Sequence, residues 1–237
     1  MNFKRITKKH NIILIAIMIC CIGGCHFINK YDSKQAGKIE DEMRQLPLIS
    51  AQDISDAIDS EEPKYYLFMN HQFDMCETVK DPSGKFAGDF LYLSYTAYKW
   101  KEEKRDKNGN IKQSEGWHYH DSDTKYGKLF LDKRTALDYF NSTTTFTDHT
   151  LNETTVNKDA KRYEYKYLSK DQKFTFVAKL GQNKAELGYK GAHVLAIHYD
   201  DLVQKTITEK KNTGAECFFF IICTAIAIFI LQDMKKN

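Results

Sequence analysis

The residues with the best spacing for chemistry lie in the stretch His118-Tyr119-His120-Asp121-Ser122-Asp123. On a strand alternate side chains share a face, so His118 and His120 point the same way, and two imidazoles at that spacing can share a zinc ion. Asp121 or Asp123 offers a further ligand, and such a centre implies a metal-dependent hydrolase. The ordinary alternative is a pair of exposed strand histidines. A second arrangement sets the Cys76 thiol and the His71 imidazole as nucleophile and base, but nothing in the sequence orients the two, and a packed thiol explains Cys76 equally. The chain holds no Gly-x-Ser-x-Gly, no Cys-x-x-Cys and no phosphate-cradling glycine loop. No cofactor is implied.

The elements that would position these residues lie between two apolar ends. A basic segment, Met1 to Asn11, precedes the apolar run Ile12 to Gly24, the pattern of an export signal. As a helix that run of 13 residues spans about 20 Å, short of the ~30 Å hydrocarbon core. The boundary Ile22-Gly23-Gly24-Cys25 resembles the lipobox of bacterial lipoproteins, which implies cleavage before Cys25 and lipidation of its thiol. The alternative is an uncleaved signal anchor. At the other end Cys217 to Leu231 is uncharged and mostly apolar, and Lys235 and Lys236 follow it. With Ala215 added it reads as a transmembrane helix whose lysines reach the headgroups. The early Lys/Arg cluster keeps the N-terminus cytoplasmic. The expected organisation is a signal peptide or anchor over 1–25, a polar tether over 26–45, an exported β-rich domain over 46–213, a transmembrane helix over 214–232 and a cytoplasmic tail over 233–237. The main domain then lies on the extracytoplasmic side of a membrane, in a bacterial cell envelope.

Charge and cysteine follow the same division. Of the net charge of +3, residues 1–24 carry +4 and residues 217–237 carry +1, which leaves the middle at −2. A near-neutral body lacks the clustered basic face of a nucleic-acid binder. Of six cysteines only Cys76 lies well inside the middle, so that domain is held by packing and not by an internal disulfide.

Within the body, aromatic and alternating segments predict strands. The helix reading falls on Ser50 to Ser60, capped by Ser50, with Asp53 in its first turn, Leu48, Ile54 and Ile58 on its apolar face and Pro63 beyond its end. The stretch Asp89 to Trp100 is apolar on both faces and predicts a central strand; Asn108-Gly109 marks the tip of a charged hairpin after it. Gly127 to Phe140 predicts a short strand and a helical turn, and the Thr/Asn-rich residues 141–161 predict a loop. Tyr163, Tyr165 and Tyr167 share one face of a strand, and Phe174, Phe176, Ala178 and Leu180 one face of the next. With Ser169 to Gln172 as the turn, the two predict an antiparallel hairpin. A strand at Ala192 to Tyr199 and a helix over 200–211 complete the body. The fold class is α+β, a mainly antiparallel β domain with short flanking helices.

From Trp117 to Leu231 the chain resembles the GIDE-type domain of membrane-anchored ubiquitin ligases and their bacterial relatives. The resemblance rests on the stretch Arg162 to Gln182, an aromatic strand, a turn and a strand close to V-x-V-x-G. It extends to Ala192 to Lys205, which leads into the terminal apolar run, and more loosely to Trp117 and Lys128 to Lys133. It implies a β-rich domain beside the membrane with a sensing or interaction role. The ligases end in a zinc-binding RING, whereas only six residues follow Leu231 here, so ligase activity is not implied. The combined expectation is a non-catalytic, membrane-anchored interaction or sensing domain whose partners are the bilayer and another membrane protein. The alternatives are the hydrolase at His118 and His120 and a structural envelope lipoprotein lipidated at Cys25.

Overall fold

The computed structural model describes residues 34–210. The chain divides into two units, one of Leu46–Thr206 and one of Met1–Gln45 with Ile207–Asn237. In the second unit residues 34–44 form a helix, α1, where the sequence reading has a polar tether. Its pairs Lys38–Glu42 and Glu40–Arg44 sit one turn apart, the spacing at which opposite charges support a helix without an apolar stripe. Among the described residues no helix is long and apolar enough to cross a membrane. Both apolar ends, and with them Cys25 and the expected transmembrane helix over 214–232, lie outside the described residues.

The unit Leu46–Thr206 is mainly antiparallel β with short helices, as expected. Its centre is β12 (Lys173–Gly181), in which Phe174, Phe176, Ala178 and Leu180 are fully buried and Thr175 and Val177 nearly so. A strand buried on both faces needs partners on both edges. β1 (Lys64–Gln72) pairs along one edge, with a bulge between Phe68 and His71 where Asn70 takes φ +52°. The other edge is shared by β13 (Lys184–Leu187) and β14 (Val194–Ala196), and β8 (Leu137–Asp138) and β9 (Thr145–Phe146) extend the sheet in parallel from these. Gly181 ends β12 at φ +143°, where a Cβ would lie 2.6 Å from Pro63 Cα, so only glycine lets the chains cross there. The helix α2 (Ile54–Asp59) lays Ile54, Ala57 and Ile58 on this core. It starts later than expected. Asp53 is the N-cap residue, and the Ser50 hydroxyl donates to the Asp53 carboxylate at 2.5 Å instead of capping the helix. Leu48, read as part of the apolar face, is exposed. A last helix, α3, covers 199–210 and buries Leu202, Val203 and Thr206.

The second sheet has the order β10–β11–β3–β6, from β10 (Asn152–Lys158), β11 (Lys161–Ser169), β3 (Phe90–Lys101) and β6 (Gly116–Tyr126). The central position of β3 agrees with its doubly apolar sequence. A register shift against β11 at Leu168/Ser169 leaves Leu91 unmatched. Leu91 and Tyr92 therefore join the core around β12, while Phe90, Leu93, Tyr95 and Ala97 join a second core with Tyr163 and Tyr165. Beyond Lys101 the chain runs out through β4 (Lys104–Arg105) and β5 (Ile111–Gln113), with Asn108-Gly109 in the turn as expected. The remaining pair is β2 (Met75–Glu77) with β7 (Lys128–Phe130).

Three expectations are corrected. β11 and β12 do not pair; the connection over 170–172 carries the chain from one sheet to the other. β11 alternates buried tyrosines with outward Arg162, Glu164 and Lys166, whereas β12 has almost no polar face, so each fits a different layer. β11 pairs instead with β3 and with β10, and β10 lies in the Thr/Asn-rich stretch read as a loop. An edge strand needs no buried alternation, and threonine suits the pleat. The helical turn expected after β7 is replaced by a loop in which the Asp132 carboxylate accepts from the amides of Arg134 and Thr135 at 2.8 and 2.7 Å.

Candidate functional site: the open face of the four-stranded sheet

The two faces of the four-stranded sheet differ. One is closed by the loop over 80–89. Phe86 stacks on Phe90 and lies against Tyr165 and Tyr167, with ring centroids 4.8 to 5.2 Å apart. That loop is built on Asp81. Its carboxylate accepts from the amides of Ser83, Lys85 and Phe86 at 2.9 to 3.0 Å, from the Ser83 hydroxyl at 2.6 Å and from the Tyr165 hydroxyl at 2.9 Å. Burial opposes the charge on Asp81, but the bonds from Ser83, Phe86 and Tyr165 together outweigh it and hold the carboxyl below its ordinary range. Burial, more than the neighbouring Asp81 charge, pushes the Tyr165 phenol well above its own. Lys85 closes the loop end by pairing with Asp159 in the β10–β11 turn.

The other face is open and shallowly concave, with a cavity of about 550 Å3. Strand register lays out its rows. Glu153, Lys166, Ser94 and Thr124 lie side by side across the four strands; Thr155, Glu164, Thr96 and Ser122 form the next row; Asn157, Arg162, Tyr98 and Tyr119 form the third. Trp100 and Trp117 make a fourth on β3 and β6. The polar groups are held by their neighbours. Lys166 donates to Glu153 at 2.9 Å, and that bond pushes its ammonium pKa up. Arg162 pairs with Glu164, and the Ser94 and Thr124 hydroxyls meet at 2.9 Å. The Arg162 Nε donor finds no hydrogen-bond partner among the described residues. At the aromatic end the Trp100 and Trp117 rings meet edge-to-face at 5.4 Å, and the Tyr119 hydroxyl lies 3.0 Å from Ser122 Oγ. The exposed fractions are 44% for Trp100, 40% for Trp117 and 63% for Tyr119, large for aromatics laid on a sheet.

His118 and His120 lie on β6 beside this face. A register shift between Tyr98 and Ala97 leaves His120 unmatched, so the alternation between the two histidines slips by one residue. His118 Nε2 is 2.8 Å from the Ser114 carbonyl. Asp121 accepts from the Tyr95 hydroxyl at 3.2 Å, and Asp123 from the Thr124 amide at 2.8 Å. Burial, with the Asp121 charge beside it, pushes the Tyr95 phenol up to about 12. Among the described residues no three His, Cys, Asp or Glu side chains are grouped to hold a metal ion. Cys76 sits on β2 opposite Leu129, and burial raises its pKa, the reverse of what activates a thiol. His71 packs edge-on against Phe68, Phe73 and Phe176, where burial lowers its pKa.

The open face was missed in the sequence because its members are spread over residues 94–166. Its one local signal was the polar alternation Arg162, Glu164, Lys166, which marks an outward sheet face but not what the neighbouring strands add to it. Comparison with protein-family models, with curated proteins and with solved structures found no match.

Proposed function

We propose that this protein is a non-catalytic interaction or sensing module, held beside a membrane by its apolar ends, that binds through the open face of its four-stranded sheet. The observation that carries this reading is the contrast between the two faces of one sheet. The first is sealed by a loop ordered around a buried carboxylate. The second presents paired charges and hydroxyls around a cavity of about 550 Å3, with the exposed indoles of Trp100 and Trp117 further along the same face. Paired charges and mutually bonded hydroxyls are pre-organised, which lowers the entropy lost on binding. The resemblance to the GIDE-type domain points to the same class of role. The apolar segments Ile12 to Gly24 and Cys217 to Leu231 supply the tethering.

The test is a photo-crosslinking residue placed at Thr96, in the floor of the groove, in the full chain within intact membranes. A specific adduct is expected, and it should be lost when Lys166→Trp fills the groove. The absence of any adduct would overturn the reading.

A further inference from the structure

The open face also indicates what kind of ligand it suits. Tyr98 and Trp100 on β3 stand in register with Tyr119 and Trp117 on β6, so four aromatic side chains form two cross-strand rows at one end of the face. Ser94, Thr96, Ser122 and Thr124 continue the same face along the same two strands. From Ser94 to Trp100 the strand advances about 20 Å. One end therefore offers apolar ring surface and the other hydroxyls and charged groups, in line.

Charge narrows the class. The face carries Glu153 and Glu164 against Arg162 and Lys166, and the four are paired with one another. A balanced face has no field to concentrate a polyanion, which argues against nucleic acid and an anionic bilayer. Acidic Glu102, Glu103, Asp106 and Glu115 are interleaved with the basic residues of the adjoining hairpin, which further disfavours an anionic surface. A peptide that binds by strand addition takes a sheet edge, where backbone groups are free, and not a face. A neutral polyhydroxylated chain meets both ends. Its pyranose C–H faces carry slightly positive hydrogens suited to the negative faces of indole and phenol rings. Its hydroxyls donate to carboxylates and accept from guanidinium and ammonium groups, which Glu164, Arg162 and Lys166 bring to the groove.

We infer that the open face is a glycan-binding platform, on which a neutral oligosaccharide lies along β3 and β6 with sugar rings on Trp100, Trp117 and Tyr119 and hydroxyls in the groove at Thr96, Arg162 and Glu164. This inference rests on the open face being the binding surface. The sequence contains two tryptophans, and both are on the platform, so indole emission from the unlabelled protein reports on this site.

The experiment titrates the full chain in neutral detergent micelles with cellohexaose and with the hexamer of N-acetylglucosamine. A saturable shift in indole emission is expected with at least one of them. Tyr119→Ala, which keeps both tryptophans, should weaken it at least five-fold. Tyr119→Phe, which keeps the ring, should weaken it less than two-fold, and Tyr139→Ala, an exposed tyrosine outside the platform, should leave it unchanged. No saturable shift with either sugar, or a shift indifferent to Tyr119→Ala, overturns the inference. So does quenching of the indoles by lipid-borne quenchers in nanodiscs, which would make the occupant the bilayer. An adduct at Thr96 without any sugar response would remove the glycan and keep the open face; neither adduct nor response would remove both.

Discussion

The Tyr165 hydroxyl donates to Asp81 Oδ2 at 2.9 Å across 84 residues of sequence, and this bond ties the loop over 80–89 to the middle of the four-stranded sheet. Tyr165 is 1% exposed, so its hydroxyl relies on Asp81 and the nearby Ser83 hydroxyl and not on water. Removing the hydroxyl leaves a buried carboxylate short of a donor. Tyr165→Phe should cost about 1–3 kcal/mol, read from urea midpoints. Asp81→Ala strands the Ser83, Lys85 and Phe86 amides together and should cost more than Tyr165→Phe.

The same carboxylate and His71 give the domain a two-stage acid response. The folded state lowers the pKa of His71, chiefly through burial, so the unfolded chain takes up that proton first as pH falls below about 6.5, and stability declines from there. Asp81 is also held below its unfolded value, about 3.9, so its contribution is intact above that pH and is lost as pH falls through the folded value. Denaturation midpoints measured from pH 8 to pH 3 should fall in two steps. His71→Phe should remove the upper step. Asp81→Asn should reduce the lower one without abolishing it, because at Asp132 burial is likewise outweighed by the bonds from Arg134 and Thr135, which hold that carboxyl below its ordinary range as well.

Turn chemistry gives a prediction of the opposite sign. Asp159 and Ala160 form the two-residue turn between β10 and β11, with φ +54° and +56°. An alanine in that region costs about 1 kcal/mol relative to a residue without Cβ. Ala160→Gly should therefore raise the melting temperature by a few degrees.

Space decides the next case. Gly127 joins β6 to β7, and a Cβ there would lie 2.1 Å from the Glu77 carbonyl oxygen. Backbone must move to admit even one methyl group, so Gly127→Ala should destabilise by about 1–3 kcal/mol. It should also loosen the β2–β7 pair, seen as faster amide exchange at Cys76 and Leu129.

Lipidation at Cys25 makes a mass prediction. If the chain is cut after Gly24, the mature N-terminus begins with a diacylglyceryl-modified Cys25, and Cys25→Ser leaves the precursor uncut. An intact Met1 in mass spectra of the membrane-extracted protein would rule out lipidation and leave the signal anchor.

The amino-acid sequence by itself determined the local elements whose physics is local. Leu93, Tyr95 and Ala97 share one apolar face of Phe90 to Trp100 and Tyr92, Tyr98 and Trp100 put rings on the other, which marks a central strand. Asn108-Gly109 could hardly be other than a turn, and Ile54 and Ile58 lie one helical turn apart. It also separated the apolar ends from a body poor in cysteine. The tertiary structure alone decided which strands pair. Adjacent aromatic strands β11 and β12 look like a hairpin because each has an apolar face. Pairing, however, is selected by what covers both faces of each strand, and the doubly buried β12 needed β1 and β13, from opposite ends of the domain. The candidate site follows the same rule. Thr96, Arg162 and Trp117 come from three strands, and only the register between those strands, set by backbone hydrogen bonds and two bulges, places them on one face.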